Sequence, residues 1–136
     1  MTAKEYLKQY RRLSDDIESK KEQLDRLREL AKGVSRPERP GSSGRISDKV
    51  GRTVAKILDL ENKLCGQISR QLELKAEIEG SIAKVDDPML KRLLTFRYIN
   101  GDEWEQISES MNYSVRQIHR LHGKALLKIK DVTQCH

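Results

Sequence analysis

The fold turns on one stretch, Gly101-Asp-Glu-Trp-Glu-Gln-Ile-Ser-Glu-Ser-Met111-Asn-Tyr-Ser114-Val-Arg-Gln-Ile-His-Arg120-Leu-His-Gly-Lys-Ala-Leu-Leu-Lys-Ile-Lys130. Two short apolar stripes flank a break at Met111-Asn-Tyr-Ser114. On the near side, Asp102 is placed to cap a short helix that holds Trp104, Ile107 and Met111. On the far side, Ser114 and Gln117 have the spacing of a capping box, in which each residue bonds the other's backbone amide. The helix they open runs through Ile118, Leu121, Ala125, Leu126 and Ile129. Asn112 stands where the chain turns, and asparagine tolerates left-handed backbone better than most residues. Ser108 is small where the two helices would come closest. A third helix precedes them: Asp87-Pro88 pairs an N-cap with proline at the first helical position. Leu90, Leu93, Leu94 and Ile99 give its buried face, and Asn100-Gly101 ends it in a turn. Two short helices joined by about three residues, with a third packed beneath, make a helix-turn-helix.

Charge is divided across the same turn. Gly101 to Tyr113 holds four acids (Asp102, Glu103, Glu105, Glu109) and no base, whereas Ser114 to Lys130 holds five bases and no acid. A recognition helix reads base edges from its first turns, and Arg and Gln do so with two hydrogen bonds at once. Ser114, Val115, Arg116, Gln117, His119 and Arg120 occupy those turns. Lys124 and Lys128, farther along, suit phosphate contacts.

Outward from this region the pattern lengthens. Residues 3–32 place Tyr6, Tyr10, Leu13, Ile17, Leu24, Leu27 and Ala31 at heptad spacing, with Lys20 in the one missing position. That is the seam of a coiled coil. Thr2 and Glu5 form a capping box at its start, and Gly33 stands at its predicted end. Residues 33–46 contain two prolines and three glycines, with Arg36, Arg39 and Arg45 against Glu38. They read as a flexible basic loop. Residues 47–85 resume as a second long helix. Val50, Val54, Ile57, Leu64, Ile68, Ile78, Ile82 and Val85 keep the register, interrupted by Glu61, Gln71 and Lys75. Leu58, Leu60, Leu72 and Leu74 widen the stripe, which implies more than one packing neighbour. Cys65 is expected on the apolar side of this helix, as a small core residue.

The expected fold is therefore all-α: a long antiparallel helical hairpin over 1–85, a three-helix helix-turn-helix domain over 86–131 and a tail over 132–136. The seams could also pair between chains, giving a homodimer. Composition agrees with narrow seams rather than a broad core. Of the 136 residues, 36% are hydrophobic, well short of the roughly 45–50% of an ordinary globular chain. A thick-walled catalytic cleft is improbable on that basis. No phosphate-binding glycine loop occurs, and no carboxylate is placed to orient a base near Ser114. Asp15-Asp16 is an adjacent pair whose members point apart on a helix. His119, His122, Cys135 and His136 do not have the tight paired spacing of a structural metal site. No enzyme activity, cofactor or metal is expected. The charged N-terminus lacks an apolar run, no stretch suits a membrane span, and two distant cysteines make no disulfide framework. A cytoplasmic setting follows. The net charge of +6 is concentrated in residues 33–56, with six bases against two acids, so the loop is a second candidate for contact with a polyanion.

Trp104-Glu-Gln-Ile107, Met111-Asn-Tyr-Ser114, Ile118 and Lys124-Ala-Leu126 resemble the fourth region of bacterial sigma factors. That resemblance, over residues 87–130, implies a helix-turn-helix that reads the promoter −35 element and packs on RNA polymerase. A second one spans nearly the whole chain. Ala3-Lys-Glu-Tyr-Leu7, Asp48-Lys-Val50, Val54-Ala-Lys-Ile57, Asp59-Leu-Glu61, Arg97-Tyr-Ile99, Trp104-Glu105, Met111-Asn-Tyr-Ser114 and Arg120-Leu-His-Gly123 are similar to small phage and prophage proteins of Gram-positive bacteria, of the ArpU and RinA late-regulator type. It implies a transcriptional regulator that binds double-stranded DNA, with RNA polymerase as a further partner. A helical hairpin stands where a sigma factor has its promoter-melting domain, so a regulator fits better than a complete sigma factor. Two rivals share the sequence features: a protein-only adaptor on RNA polymerase, and a small-terminase-like packaging component.

Overall fold

The computed structural model describes residues 1–34 and 43–134, and these are helical, with no strand among them. In order they form α1 (Ala3–Val34), α2 (Ser43–Ala83), α3 (Pro88–Leu94), a π-helical turn (Thr95–Ile99), α4 (Trp104–Met111) and α5 (Val115–Gln134). No described helix is long and apolar enough to cross a membrane.

The long helices extend farther into the predicted loop than expected, and α2 ends at Ala83, two residues short of 85. α1 passes through Gly33 to Val34, so Gly33 does not end it, and α2 begins at Ser43 rather than 47. The predicted loop is thus helical at 33–34 and 43–46. Arg36 and Arg39, with the proline-glycine run, lie outside the described residues, as do Cys135 and His136.

Two compact units result: Asp15–Arg70, and Met1–Ser14 together with Gln71–His136. This division differs from a boundary at 85/86, because the bases of the long helices bury their apolar residues with the C-terminal helices. Leu7, Leu74, Ile78, Ile82 and Val85 share a core with Leu90, Leu94, Tyr98, Ala125 and Ile129. A fully buried leucine or isoleucine of this kind contributes about 1.5–3 kcal/mol. Leu7 is wholly buried although it lies off the expected stripe, because the first turns of α1 face these helices as well as α2.

In the unit Asp15–Arg70, Gln67 Nε2 donates to Asp16 Oδ2 at 2.6 Å and Arg28 pairs with Glu61 at 3.0 Å. The residue number on α2 falls as that on α1 rises, so these two stretches run antiparallel. The buried face of α2 is displaced from the expected one. Leu60 and Gln67 are half-buried and Leu64 is buried, but Val54 and Ile68 are 44% and 36% exposed. Cys65 is exposed too, and is not a core residue. Polar residues in the seam explain the difference: Gln67 bonds across it, and apolar counting passes over such positions.

α3 starts as read, with Pro88 in its first turn and Met89 N donating to Asp87 Oδ1 at 2.9 Å. Its continuation is not a regular helix. Asn100 N reaches back to Thr95 O at 3.0 Å, an i→i+5 bond. The inserted residue rotates the chain, so that Tyr98 is buried and Ile99 only half-buried. Gly101 then takes φ 75°, and a Cβ there would collide with the Arg11 guanidinium. The guanidinium is the far end of a flexible side chain and can move aside, so it is the left-handed backbone that calls for glycine.

Candidate nucleic-acid interface

α4 is capped one residue later than expected. Glu103, not Asp102, is the N-cap, and its amide donates to Gln106 Oε1 at 2.9 Å. Asp102 instead accepts, through its carbonyl, from Arg97 Nη1 at 3.0 Å. α4 ends at Asn112, which adopts φ 58° and ψ 41°, the left-handed conformation expected of it. Tyr113 N returns to Ser108 O at 3.2 Å, and the Ser108 hydroxyl donates to the Tyr113 carbonyl. A small hydroxyl at 108 thus ties the turn from inside. Three residues separate α4 from α5.

Leu93, Ile107, Met111 and Ile118 form a buried cluster between α3, α4 and α5. Met89, Phe96, Trp104, Tyr113 and Leu121 pack around it. The buried residues of α5 are Ile118, His122, Ala125 and Ile129, spaced 4, 3 and 4. Arg116 and Arg120, two residues out of phase with this stripe, point the opposite way.

Ser114, Val115, Arg116, Gln117, His119, Arg120, Lys124 and Lys128 are all exposed. Among the described residues, no ion pair engages Arg116, Arg120, Lys124 or Lys128. Their charge is available to a ligand. Two neighbours are more constrained. Gln117 Oε1 accepts from Ser114 N at 2.9 Å, and Gln117 N donates to Ser114 Oγ at 3.2 Å. The carbonyl end of Gln117 is therefore committed to the cap, which leaves its amide nitrogen as donor. His119 packs on Trp104, with ring centroids 4.8 Å apart.

Sequence reasoning missed a cluster beneath this surface. Tyr98 and His122 share a hydrogen bond of 2.6 Å between the phenol oxygen and Nε2. Trp104 lies 4.7 Å from His122 and receives the Arg97 guanidinium at 4.3 Å. The cluster joins the π turn, α4 and α5. The spacing of Ile118, His122 and Ala125 placed His122 on the buried stripe, so it was legible as a core residue. Its partner was not, because the π insertion alone brings Tyr98 inward. No group of three or more metal-ligating side chains forms among the described residues.

Burial holds the His122 pKa down to about 4, with Lys4, Arg97, His119 and Lys8 adding repulsion. Burial pushes Tyr98 up to about 12, against the pull of Arg97. The fold thus keeps His122 neutral, while the unfolded chain takes up its proton near the ordinary value of 6.5. Stability from this group is complete above that value and is lost as pH falls toward 4. Between pH 7 and 5 the loss should be about 1–2 kcal/mol, measured by urea unfolding. His122→Gln should flatten that part of the profile. An unchanged slope in the variant would remove His122 as its cause.

No family model, curated protein or solved structure matches this chain.

Proposed function

We propose that this chain is a DNA-binding transcriptional regulator of phage origin, with α4, the turn and α5 acting as a helix-turn-helix in the major groove. One observation carries the reading: α5 turns Arg116 and Arg120 directly away from its buried stripe, exposed and outside the ion pairs of the described residues. The acids Glu103, Glu105 and Glu109 are confined to α4 and its cap. Arg116 and Arg120 are the base readers in this reading, and Lys124 and Lys128 hold phosphates. Ser114 and Gln117 set the helix terminus, and His119 lies at the groove edge against Trp104. The test is an electrophoretic shift with host and phage promoter fragments at two salt concentrations. Specific binding that weakens steeply with salt is expected. No shift on any duplex at low salt would defeat the reading and favour a protein-only adaptor. RNA polymerase enters as a second partner through the resemblance to the sigma region, and capture of the purified enzyme tests it.

The antiparallel stretch within Asp15–Arg70 is read as a coiled-coil hairpin that also pairs two copies of the chain. Val54, Leu58 and Ile68 are 44%, 54% and 36% exposed, with Cys65 between them. Positions 54, 58, 61, 65 and 68 keep heptad spacing, interrupted only by Glu61. This stripe flanks the seam facing α1, since Glu61 pairs with Arg28 of α1, and it leaves Val54, Leu58 and Ile68 exposed for a second copy. A dimer is expected by sedimentation, and Leu58→Glu should make it a monomer with its helix content intact. A monomeric wild-type chain at 100 μM would end this part of the reading, and a ring of eight or more subunits would favour the packaging role.

A further inference from the structure

α5 carries a glycine in mid-helix, the weakest helix former after proline. Gly123 is exposed, and a Cβ on it would meet nothing within 4 Å. Packing inside the fold therefore does not demand glycine, and neither does backbone conformation, since its φ is not positive. Gly33, Gly51, Gly66 and Gly80 also face open space, so open space alone does not single it out. Position does. Arg116, Arg120, Gly123 and Leu127 are spaced 4, 3 and 4, the same interval as the buried stripe Ile118, His122, Ala125 and Ile129 but two residues out of phase. Gly123 thus lies on the outer crest of α5, next to the exposed Lys124 and one turn beyond Arg120. A missing side chain at the crest of a cationic helix lowers the surface there and bares the backbone. Glycine elsewhere serves close approach between a chain and its ligand in the same way.

We propose that Gly123 is the point where the sugar-phosphate backbone of DNA crosses α5, with Lys124 beside it on a phosphate. The proposal rests on the DNA-binding reading and adds to it the place where the helix leaves the groove. It makes glycine a residue that sets how deeply Arg116 and Arg120 enter. Stability and binding should then respond to substitution in opposite directions.

The experiment uses the full chain and a labelled duplex selected by the wild-type protein from a random-sequence pool. Gly123→Ala should raise Tm by roughly 2–5 °C, through helix propensity alone. The same variant should lower affinity for the duplex roughly tenfold, and Gly123→Leu should lower it further, as a crowded backbone contact requires. An unrelated duplex should also lose affinity, since phosphates are common to both, and the preferred duplex should lose more, because the raised helix withdraws Arg116 and Arg120 from the bases. A stabilised Gly123→Ala that binds as tightly as wild type would overturn the proposal and leave DNA binding standing. An equal loss for alanine and leucine would also overturn it, because steric contact must grow with size. If the wild-type chain selects no duplex, the DNA-binding reading fails and this proposal fails with it.

Discussion

Replacing Arg116 and Arg120 together by alanine should weaken binding to the preferred duplex by about 2–6 kcal/mol, from about 1–3 for each bidentate base contact. The two residues are one helical turn apart and will not be strictly additive. Neither side chain is buried or ion-paired among the described residues, so their removal should leave Tm within a degree or two of wild type. That separation of affinity from stability is what distinguishes a contact surface from a structural one. Lys124→Ala and Lys128→Ala provide the contrast. Each should weaken all duplexes alike and reduce the salt slope by about one phosphate's worth. The decisive comparison is between the preferred duplex and an unrelated one. If the double arginine variant loses the same affinity on both, base reading by these residues is excluded and they join the lysines as phosphate contacts. Gln117→Ala must be interpreted differently. Its carbonyl already accepts from the Ser114 amide, so the substitution first loosens the start of α5 and only then affects DNA.

The features legible in the sequence were those settled within a few residues. Asp87, Asn112 and Ser114 cap or turn the chain as read, because each acts on a backbone group at most three residues away. Ile107, Met111 and Ile118 were legible as core for a similar reason: their spacing survives any change of neighbour. What depended on a partner distant in sequence was not legible. Val54 and Ile68 have the right spacing for the seam, yet Gln67 occupies part of it and bonds Asp16. Apolar counting cannot see a polar seam residue whose partner is 51 positions away. Cys65 went with them, since it rode on the same misjudged face. Asp102 lost the cap to Glu103 once the π turn and Gly101 had shifted the chain. The exposed cations of α5 were legible individually, and so was the Ser114–Gln117 capping box, but not that His119 packs on Trp104.

Ile118→Ala should destabilise the C-terminal helices by about 2–5 kcal/mol, the range for emptying a fully buried aliphatic site. Ile118 is wholly buried and packs with Leu93, Ile107 and Met111, so three elements border the cavity it would leave. Urea unfolding should show a lower midpoint with an unchanged slope, because the surface exposed on unfolding barely changes. Ile118→Leu, which conserves volume, should cost less than about 1.5 kcal/mol. Ile118 stands between Gln117 and His119, both exposed, and this gives the variant a second use. Any effect of Ile118→Ala on DNA binding should follow the fraction of folded protein and vanish when stabilising osmolyte restores that fraction. The arginine variant should behave in the opposite way, folded at every temperature of the assay and still weak. A stability loss below about 1 kcal/mol for Ile118→Ala would show that α5 does not pack on α3 and α4 through this residue. The crest bearing Arg116, Arg120 and Gly123 is defined as the side opposite that packing. It would then lose its orientation, and the assignment of base readers would have to be made again from a different face of the helix.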